Sequence, residues 1–241
     1  MDKAIVIENL TKVYSNNRGV FNINLDVEKG DIFGFLGPNG AGKTTVMKVM
    51  SGLMQPDSGD ISILGSSVTK SFESAARHIG TIIETAEAYP YLTAYENIKQ
   101  ASRYYENVDE ERISHCLELT GILKFKNEKI KKFSLGMKQR LGIAMAIVSN
   151  PAVLILDEPL NGLDVDGMLA MRRLIGNLSR DEGTTFFISS HLIHDVELSC
   201  TKIGLIHSGR LVAVETMKNI LENYSTLENY YISEVGNDAI I

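Results

Sequence analysis

A glycine-rich stretch at residues 37–45 ends in a lysine and two threonines and reads Gly-Pro-Asn-Gly-Ala-Gly-Lys-Thr-Thr. Glycines in this spacing let the backbone fold back, so that successive N–H groups point at an anion. Lys43 can then reach the β- and γ-phosphates of a nucleotide as a point charge, and the hydroxyl of Thr44 can hold Mg²⁺. The stretch predicts a phosphate-binding loop that consists of Gly37, Pro38, Asn39, Gly40, Ala41, Gly42, Lys43, Thr44 and Thr45.

The residues on either side of this loop predict the elements that hold it. Residues 31–36 are a short apolar run that suits a buried strand, and residues 45–51 suit a helix whose N-terminus faces the phosphate. A chance glycine-rich turn is the alternative interpretation. The strand before the loop and the helix after it argue against that alternative.

A second apolar run, residues 153–156, ends in two carboxylates, Asp157 and Glu158. Such runs are typical of strands that are covered on both faces in a parallel sheet, where ligands lie beyond the carboxyl ends of the strands. Asp157 can hold Mg²⁺ through its water shell, and Glu158 can polarise an attacking water. The alternative, a buried strand that ends in a solvated turn, is disfavoured by the phosphate-binding loop upstream.

Residues 133–140, which we name the signature segment, read Phe-Ser-Leu-Gly-Met-Lys-Gln-Arg. Ser134 is a good N-cap, and residues 135–148 continue as a helix with an apolar stripe, so the segment predicts an anion site at a helix N-terminus. An ordinary capped core helix would also give the stripe. It would not account for the Gly-x-x-Gln-Arg sequence.

The order of these motifs, followed by Ser-Ser-His191, resembles the ATP-binding cassette (ABC) ATPases from about Ala4 to about Glu215. The resemblance implies an α/β fold, a P-loop NTPase of the ABC ATPase type, that binds and hydrolyses ATP with Mg²⁺. Glu158 would be the catalytic carboxylate, and His191 would contact the γ-phosphate and orient the water. Tyr14 would stack on adenine, although a lone tyrosine at a strand end is more often a packing residue.

The resemblance also implies a dimer, formed with an identical or a similar ATPase chain, that holds two ATP molecules head to tail. Ser134 and the backbone of Gly136 would bind the γ-phosphate of ATP held by the partner chain. The residues that would act across the interface are Ser134, Leu135, Gly136 and Met137 of the signature segment, and Asn161, Gly162, Leu163 and Asp164 of a dimer loop after the catalytic carboxylate.

The chain departs from the family pattern in two places. Leu135 and Met137 replace a glycine and a glutamine of the signature, and Glu84 replaces the glutamine of a loop that couples the ATPase to membrane subunits. We predict that Glu84 joins Thr44 and Asp157 around Mg²⁺. In Glu84 and in the sequence of the signature segment, the chain resembles the bacitracin-resistance and lantibiotic-immunity branch of the family.

The function that this branch implies is export of an antimicrobial or amphipathic peptide, or of a drug, through separate membrane permease subunits. An importer ATPase and a non-transport ABC ATPase remain as alternatives. Two features argue against a non-transport ABC ATPase. Soluble members that act on ribosomes resemble two cassettes in one chain, and this chain has one cassette. Repair ATPases carry a long coiled coil between the phosphate-binding loop and the signature segment. Only about ninety residues separate those motifs here.

The composition of the chain limits its class, its partners and its location in the cell. Its 241 residues carry a net charge of −6, with 44% hydrophobic and 22% charged residues, which is ordinary for a globular protein and argues against nucleic acid as a partner. Cys116 and Cys200 show no metal-binding spacing, so we expect free, reduced thiols. We find no leader and no apolar run of membrane-spanning length, and expect a cytoplasmic protein peripheral to the inner face of the cell membrane.

The remaining sequence predicts one ABC ATPase domain over residues 1–241. Strict alternation over residues 21–27 predicts an antiparallel strand, and a turn at residues 57–59 precedes a short strand from Ile61; with residues 4–10 they predict an antiparallel β layer beside a mixed sheet core. We divide the chain into a nucleotide-binding core, an inserted helical lobe and a tail, which span residues 1–84 with 150–215, about 85–149, and 216–241.

Overall fold

The computed structural model describes residues 2–84, 87–106 and 108–236, and these contain ten β-strands and nine α-helices. The strands are β1 Lys3–Val13, β2 Gly19–Glu28, β3 Ile32–Leu36, β4 Ser58–Ile63, β5 Ser66–Ser67, β6 Ile79–Ile82, β7 Val153–Asp157, β8 Thr185–Ser190, β9 Lys202–His207 and β10 Arg210–Thr216. The helices are α1 Lys43–Met50, α2 Phe72–Ala76, α3 Ala94–Ser102, α4 Glu110–Leu119, α5 Leu135–Ala146, α6 Val165–Glu182, α7 Ile193–Ser199, α8 Met217–Tyr224 and α9 Leu227–Val235.

The predicted antiparallel layer is a four-stranded sheet in the order β2-β1-β4-β5. Along β2, Ile23, Leu25 and Val27 are buried while Asn22 and Asn24 are exposed, as the alternation predicts. The apolar face of this sheet packs on α1 and on one face of the second sheet, and this packing forms one of the two hydrophobic clusters among the described residues. The layer therefore supports the helix that follows the glycine-rich loop.

The turn predicted at residues 57–59 is wrong, because β4 already begins at Ser58, opposite Thr11 of β1. The glycine that suggested a turn serves a strand irregularity instead. Gly59 has a φ of +82°, and a Cβ atom at this position would lie 2.4 Å from the carbonyl oxygen of Asn9. A close approach of two strand backbones thus requires glycine here.

The second sheet is mixed, in the order β10-β9-β3-β8-β7-β6; β9 and β10 form an antiparallel hairpin, and the other neighbouring pairs are parallel. Leu36 at the end of β3 lies opposite Ser190, and Asp157 at the end of β7 lies opposite Ser189. The segments that follow β3, β7 and β8 therefore leave the sheet at the same edge. Sequence reasoning did not predict the edge strand β6.

Both faces of β7 are buried, as its continuous apolar run predicts. Val153 and Ile155 pack into the cluster shared with the antiparallel layer, whereas Leu154 and Leu156 pack into a second cluster formed largely by helices. Because successive strand side chains point to opposite faces, one short run serves both clusters. The burial of β7 thereby fixes the position of Asp157, its last residue, at the edge of the sheet.

All described elements between β6 and β7 are helical: α3, α4, two 3₁₀ turns at Leu123–Phe125 and Ile130–Lys132, and α5. Thr93 caps α3 in a capping box with Glu96, and the hydroxyl of Ser134 accepts a hydrogen bond from the N–H of Met137 at the start of α5. The helix predicted to reach residue 148 ends at Ala146.

The C-terminal helices α8 and α9 pack against the helical cluster through Met217, Ile220, Leu227 and Tyr230. The carboxylate of Glu197 in α7 accepts a hydrogen bond from the N–H of Leu227 at 2.6 Å and ties α9 to the core. No helix in the described part of the chain is both long enough and apolar enough to cross a lipid bilayer.

Candidate functional site

The glycine-rich loop packs closely against strands β2 and β9. A Cβ atom on Gly37 would lie 2.2 Å from the carbonyl oxygen of Ile206, and a Cβ atom on Gly42 would lie 2.4 Å from Cγ1 of Val20. Gly40 and Gly42 have φ values of +81° and +110°, which residues with side chains rarely adopt. Sterics and backbone angles thus account for the glycines that the sequence motif contains.

The loop leads into α1, whose preceding residue, Gly42, has no side chain that could cap the helix. In contrast, α3, α4 and α5 begin with Thr93, Asp109 and Ser134, each of which accepts a hydrogen bond from a first-turn N–H group. First-turn N–H groups have no acceptor within their own helix. The N-terminus of α1 therefore offers these donors, and the positive end of the helix dipole, to an anion.

Lys43 is buried at the base of the loop, with 5% of its surface exposed. Its Nζ donates hydrogen bonds to the carbonyl oxygens of Gly37 at 2.7 Å and Pro38 at 3.2 Å and lies 3.5 Å from Oε1 of Glu158. Burial lowers the pKa of Lys43, and the carboxylate of Glu158 opposes this shift. The ammonium thus rests on the carbonyl groups of its own loop, where an anion could replace them.

Asp157 is held by two hydroxyl groups from distant parts of the chain. Thr44 Oγ1 donates to Asp157 Oδ2 at 3.1 Å, and Ser189 Oγ donates to Asp157 Oδ1 at 2.5 Å. The same Ser189 hydroxyl accepts a hydrogen bond from the N–H of Glu158 at 2.9 Å. A hydroxyl and a carboxylate within hydrogen-bond distance are hard oxygen ligands of the kind that Mg²⁺ prefers, so this corner suits the cation that accompanies a nucleotide.

Sequence reasoning assigned no role to Ser189, which is fully buried and joins the Asp157 carboxylate to the backbone N–H of Glu158. The available signal was its place at the end of a strand, immediately before Ser190 and His191. The parallel register of β7 and β8 sets Ser189 opposite Asp157, and that register is not visible in the sequence.

Glu158 lies between two potential cations. Its Oε2 is 2.7 Å from Nδ1 of His191, although the orientation of the two groups falls outside hydrogen-bond geometry, and its Oε1 faces Lys43. The backbone of Glu158 adopts a φ of +47°, in the left-handed region that residues with a side chain rarely occupy. A carboxylate in this position can accept a proton from a water held beside it.

A cleft of about 500 Å³ opens beside these carboxylates. Glu84 lines this cleft together with Thr44, Asp157 and Glu158, so the structure brings the three residues predicted around Mg²⁺ to one cavity. The carboxylate of Glu84 itself contacts Lys48 of α1, with Oε1 2.6 Å from Nζ. This contact raises the pKa of Lys48.

Tyr14 lines a second pocket, of about 300 Å³, on the outer side of the glycine-rich loop. Its hydroxyl is 3.1 Å from Thr45 Oγ1, and 39% of the residue is exposed. Sequence reasoning did not single out Arg18, which lines the same pocket. The pocket joins the predicted adenine position to Lys43 and the loop.

The signature segment and the dimer loop lie side by side. Gln139 Nε2 donates to the carbonyl oxygen of Asn161 at 3.3 Å, and Asp164 caps α6 by accepting a hydrogen bond from the N–H of Gly167. Leu135 lines the cleft and is 51% exposed. In the described part of the chain, the pocket beside Tyr14 is lined by neither of these two loops.

Comparison with known proteins agrees with this geometry. A family model described as ABC transporter matches residues 20–161. The bacitracin transport ATP-binding protein BcrA of Bacillus licheniformis is 43% identical over 88% of this chain and 69% of its own length, and the lantibiotic transport ATP-binding protein SrtF of Streptococcus pyogenes is 39% identical over 94% and 96%.

Among solved structures, cbiO1 from Clostridium perfringens, part of the ABC transporter complex cbiONQ, superposes with a TM-score of 0.85. It is 25% identical, and the match covers 98% of this chain and 96% of cbiO1. The predicted α/β fold of the ABC ATPase type, with its antiparallel layer and mixed sheet, is confirmed. The chain belongs to the family of ABC transporter ATP-binding proteins.

Proposed function

We propose that this chain hydrolyses Mg²⁺-ATP to energise the export of an antimicrobial or amphipathic peptide, or of a drug, through separate membrane permease subunits. ABC ATPases bind and hydrolyse ATP, so the activity follows the family. One observation carries the assignment to this site. Lys43, Asp157, Glu158 and His191 come together where three parallel strands of one sheet end.

In the proposed reaction, the phosphates of ATP lie on the loop N–H groups and on the N-terminus of α1. Lys43 exchanges its contacts with the Gly37 and Pro38 carbonyl groups for phosphate oxygens. Thr44 and Asp157 would hold Mg²⁺, which supplies positive charge against the phosphates.

Glu158 follows the carboxyl end of β7. Its carboxylate then acts as the base and accepts a proton from the attacking water. His191, beside Glu158, orients that water and contacts the γ-phosphate. Tyr14 stacks on adenine at the mouth of the neighbouring pocket. Ser189 holds the Asp157 carboxylate and the backbone of Glu158 in place during the reaction.

The proposed working unit is a dimer, either of two copies or with a similar ATPase chain. Each ATP would lie between the phosphate-binding loop of one chain and Ser134–Gly136 of the other, with the dimer loop, residues 161–164, at the interface. The signature segment stands at the start of α5, in the region between β6 and β7 that we assign to the helical lobe, residues 85–149. Closure of the dimer would therefore move the lobe relative to the nucleotide-binding core, residues 1–84 and 150–215.

Export of a peptide is supported by the names of two relatives, the bacitracin transport ATP-binding protein BcrA and the lantibiotic transport ATP-binding protein SrtF. Glu84 in place of the common glutamine agrees with this branch. We place the chain at the inner face of the cell membrane, where it would contact its permease near Glu84 and the helical lobe.

The proposal is tested in two stages. Purified protein should hydrolyse ATP in a Mg²⁺-dependent manner, and an inactive preparation of folded protein would contradict the enzymatic part. In cells, deletion of the gene should increase susceptibility to bacitracin or a lantibiotic, and expression of the Glu158→Gln variant should not restore resistance. Loss of uptake of a nutrient, with unchanged susceptibility, would instead favour an importer.

A further inference from the structure

One face of α1 carries two residues that each contact a carboxylate at the cleft. Thr44 and Lys48 are four positions apart, so their side chains lie on the same side of the helix. Thr44 Oγ1 donates to Asp157, and Lys48 Nζ donates to Glu84 Oε1 at 2.6 Å. The helix that follows the phosphate-binding loop therefore also holds the residue that departs from the family pattern.

A carboxylate at position 84 creates an electrostatic problem for a protein that binds a polyanion. Glu84 lines the cleft with Asp157 and Glu158, so three carboxylates face the volume beside the phosphate-binding loop. Carboxylates that line the cleft repel the negative charge of a nucleoside triphosphate, and a neutral glutamine would not. The ammonium of Lys48 offsets one of the three charges.

The ion pair between Lys48 and Glu84 is exposed to solvent and can break easily. The Glu84 side chain is 64% exposed and that of Lys48 is 31% exposed, and ion pairs in such surroundings are held weakly because water solvates both partners. Glu84 has a left-handed backbone φ of +68°. A divalent cation that arrives with the nucleotide can therefore compete with Lys48 for this carboxylate.

We propose that Lys48 is a positioning residue that keeps Glu84 turned toward α1 and makes a carboxylate at position 84 compatible with nucleotide binding. This inference rests on the proposed function of the site. It predicts that the effect of removing Lys48 depends on the residue at position 84 and on whether Mg²⁺ is present.

The test is a double-mutant cycle that uses Lys48→Met, Glu84→Gln and the double variant in the full chain, with a fluorescent ATP analogue as probe. Without metal, Lys48→Met should weaken binding about fivefold next to Glu84, whereas in the Glu84→Gln background the same change should have less than about a twofold effect. Addition of Mg²⁺ should reduce the deficit of Lys48→Met, because the cation takes over the role of neutralising Glu84.

A matched control is the exposed ion pair of Lys99 and Glu110 on α3 and α4, whose atoms are 2.9 Å apart. Lys99→Met and Glu110→Gln should leave nucleotide affinity unchanged. Equal losses from Lys48→Met in both backgrounds, insensitive to Mg²⁺, would mean that Lys48 merely supports α1, and would overturn the inference. If the unmodified protein binds and hydrolyses ATP but the cycle is additive, only this inference fails; if it binds no nucleotide, the proposed function fails with it.

Discussion

Gly162 of the dimer loop lies so close to Leu135 of the signature segment that a Cβ atom on Gly162 would stand 3.0 Å from Cδ2 of Leu135. The contact is reciprocal, since a Cβ atom on Gly136 would stand 3.3 Å from Cδ2 of Leu163. Leu135 occupies a position where the family usually has glycine. In this chain the two segments are therefore packed against each other by leucine side chains.

This packing predicts that Gly162→Ala damages the proposed dimer interface more than nucleotide binding. The substitution adds a methyl group against Leu135 and forces a side chain into a backbone φ of +74°. We expect a loss of about 1 kcal/mol in the free energy of unfolding. ATPase activity should fall while the affinity for a fluorescent ATP analogue stays near its normal value.

Gly176→Ala is the matched control, because Gly176 lies within α6 and a Cβ atom there would meet no neighbour within 4 Å among the described residues. This change should raise the free energy of unfolding by about 0.5–1 kcal/mol, since alanine favours the helix. Denaturant titrations of both variants check the comparison. Equal stability of the two would show that the Leu135–Gly162 contact carries no strain.

Ser189→Ala should lower both stability and turnover. The change leaves Asp157 Oδ1 and the N–H of Glu158 without the hydroxyl that joins them. Loss of such buried partners costs about 1–3 kcal/mol in the free energy of unfolding, and the Asp157 carboxylate and the backbone of Glu158 lose a shared anchor. Denaturant titration and the Mg²⁺ dependence of kcat measure these effects. A variant with normal kcat would show that Ser189 plays no part in turnover.

The parts of the site that are local in sequence could be predicted, whereas those that depend on strand register could not. The phosphate-binding loop and Asp157 were recognisable because each follows directly from its own strand. The Ser189–Asp157 and Lys48–Glu84 contacts join residues more than thirty positions apart, and only the fold brings them together. The boundaries of the predicted elements differ from those in the structure where tertiary contacts override local preference, as at the start of β4.

The edge strand β6 escaped prediction because only four residues form it and one of them is glycine. The structure gives the reason for Gly80. A Cβ atom there would lie 2.4 Å from the carbonyl oxygen of Ala146 at the end of α5. The close approach of a helix to the sheet thus places glycine where strand propensity alone would disfavour it.

Lys43→Ala should weaken ATP binding about tenfold or more, because it removes a charge-assisted contact worth about 1.5–3 kcal/mol. The variant should still fold, since the Lys43 ammonium contacts only polar groups around the loop and the desolvation that lowers its pKa is relieved. Titration with a fluorescent ATP analogue measures the change. Lys218→Ala, on the exposed surface of α8, is the control, and equal affinity of both variants would contradict the assignment of the loop.

Cys116 and Cys200 should resist alkylation in the folded protein. Burial raises the pKa of Cys116 to about 11 and that of Cys200 to about 12, so the reactive thiolate is scarce near neutral pH. Because both values lie above the ordinary value of 9.0, the neutral thiols contribute stability below about pH 9, and this contribution is lost as the pH rises through 11 to 12. Mass spectrometry after iodoacetamide treatment should find modification only in guanidinium chloride; rapid reaction of the native protein would contradict the burial.

Glu158→Gln should retain ATP binding and lose most turnover. The amide keeps the size of the side chain but cannot accept a proton from water. It also removes the negative charge that faces both Lys43 and His191, so repulsion of the ATP phosphates should decrease. With hydrolysis blocked, the ATP-bound dimer should accumulate and elute earlier than the unmodified protein in size-exclusion chromatography with Mg²⁺-ATP.

The matched variant is Glu182→Gln at the end of α6, which precedes β8, whereas Glu158 follows the carboxyl end of β7; the Glu182 carboxylate lies near His115. It should hydrolyse ATP at the normal rate and show no accumulated dimer. If Glu158→Gln hydrolyses as fast as the unmodified protein, another group positions the water, and His191, 2.7 Å from the Glu158 carboxylate, is the first candidate. His191→Ala combined with Glu158→Gln would then separate the two, because only a base at position 191 would make the second change abolish the remaining turnover.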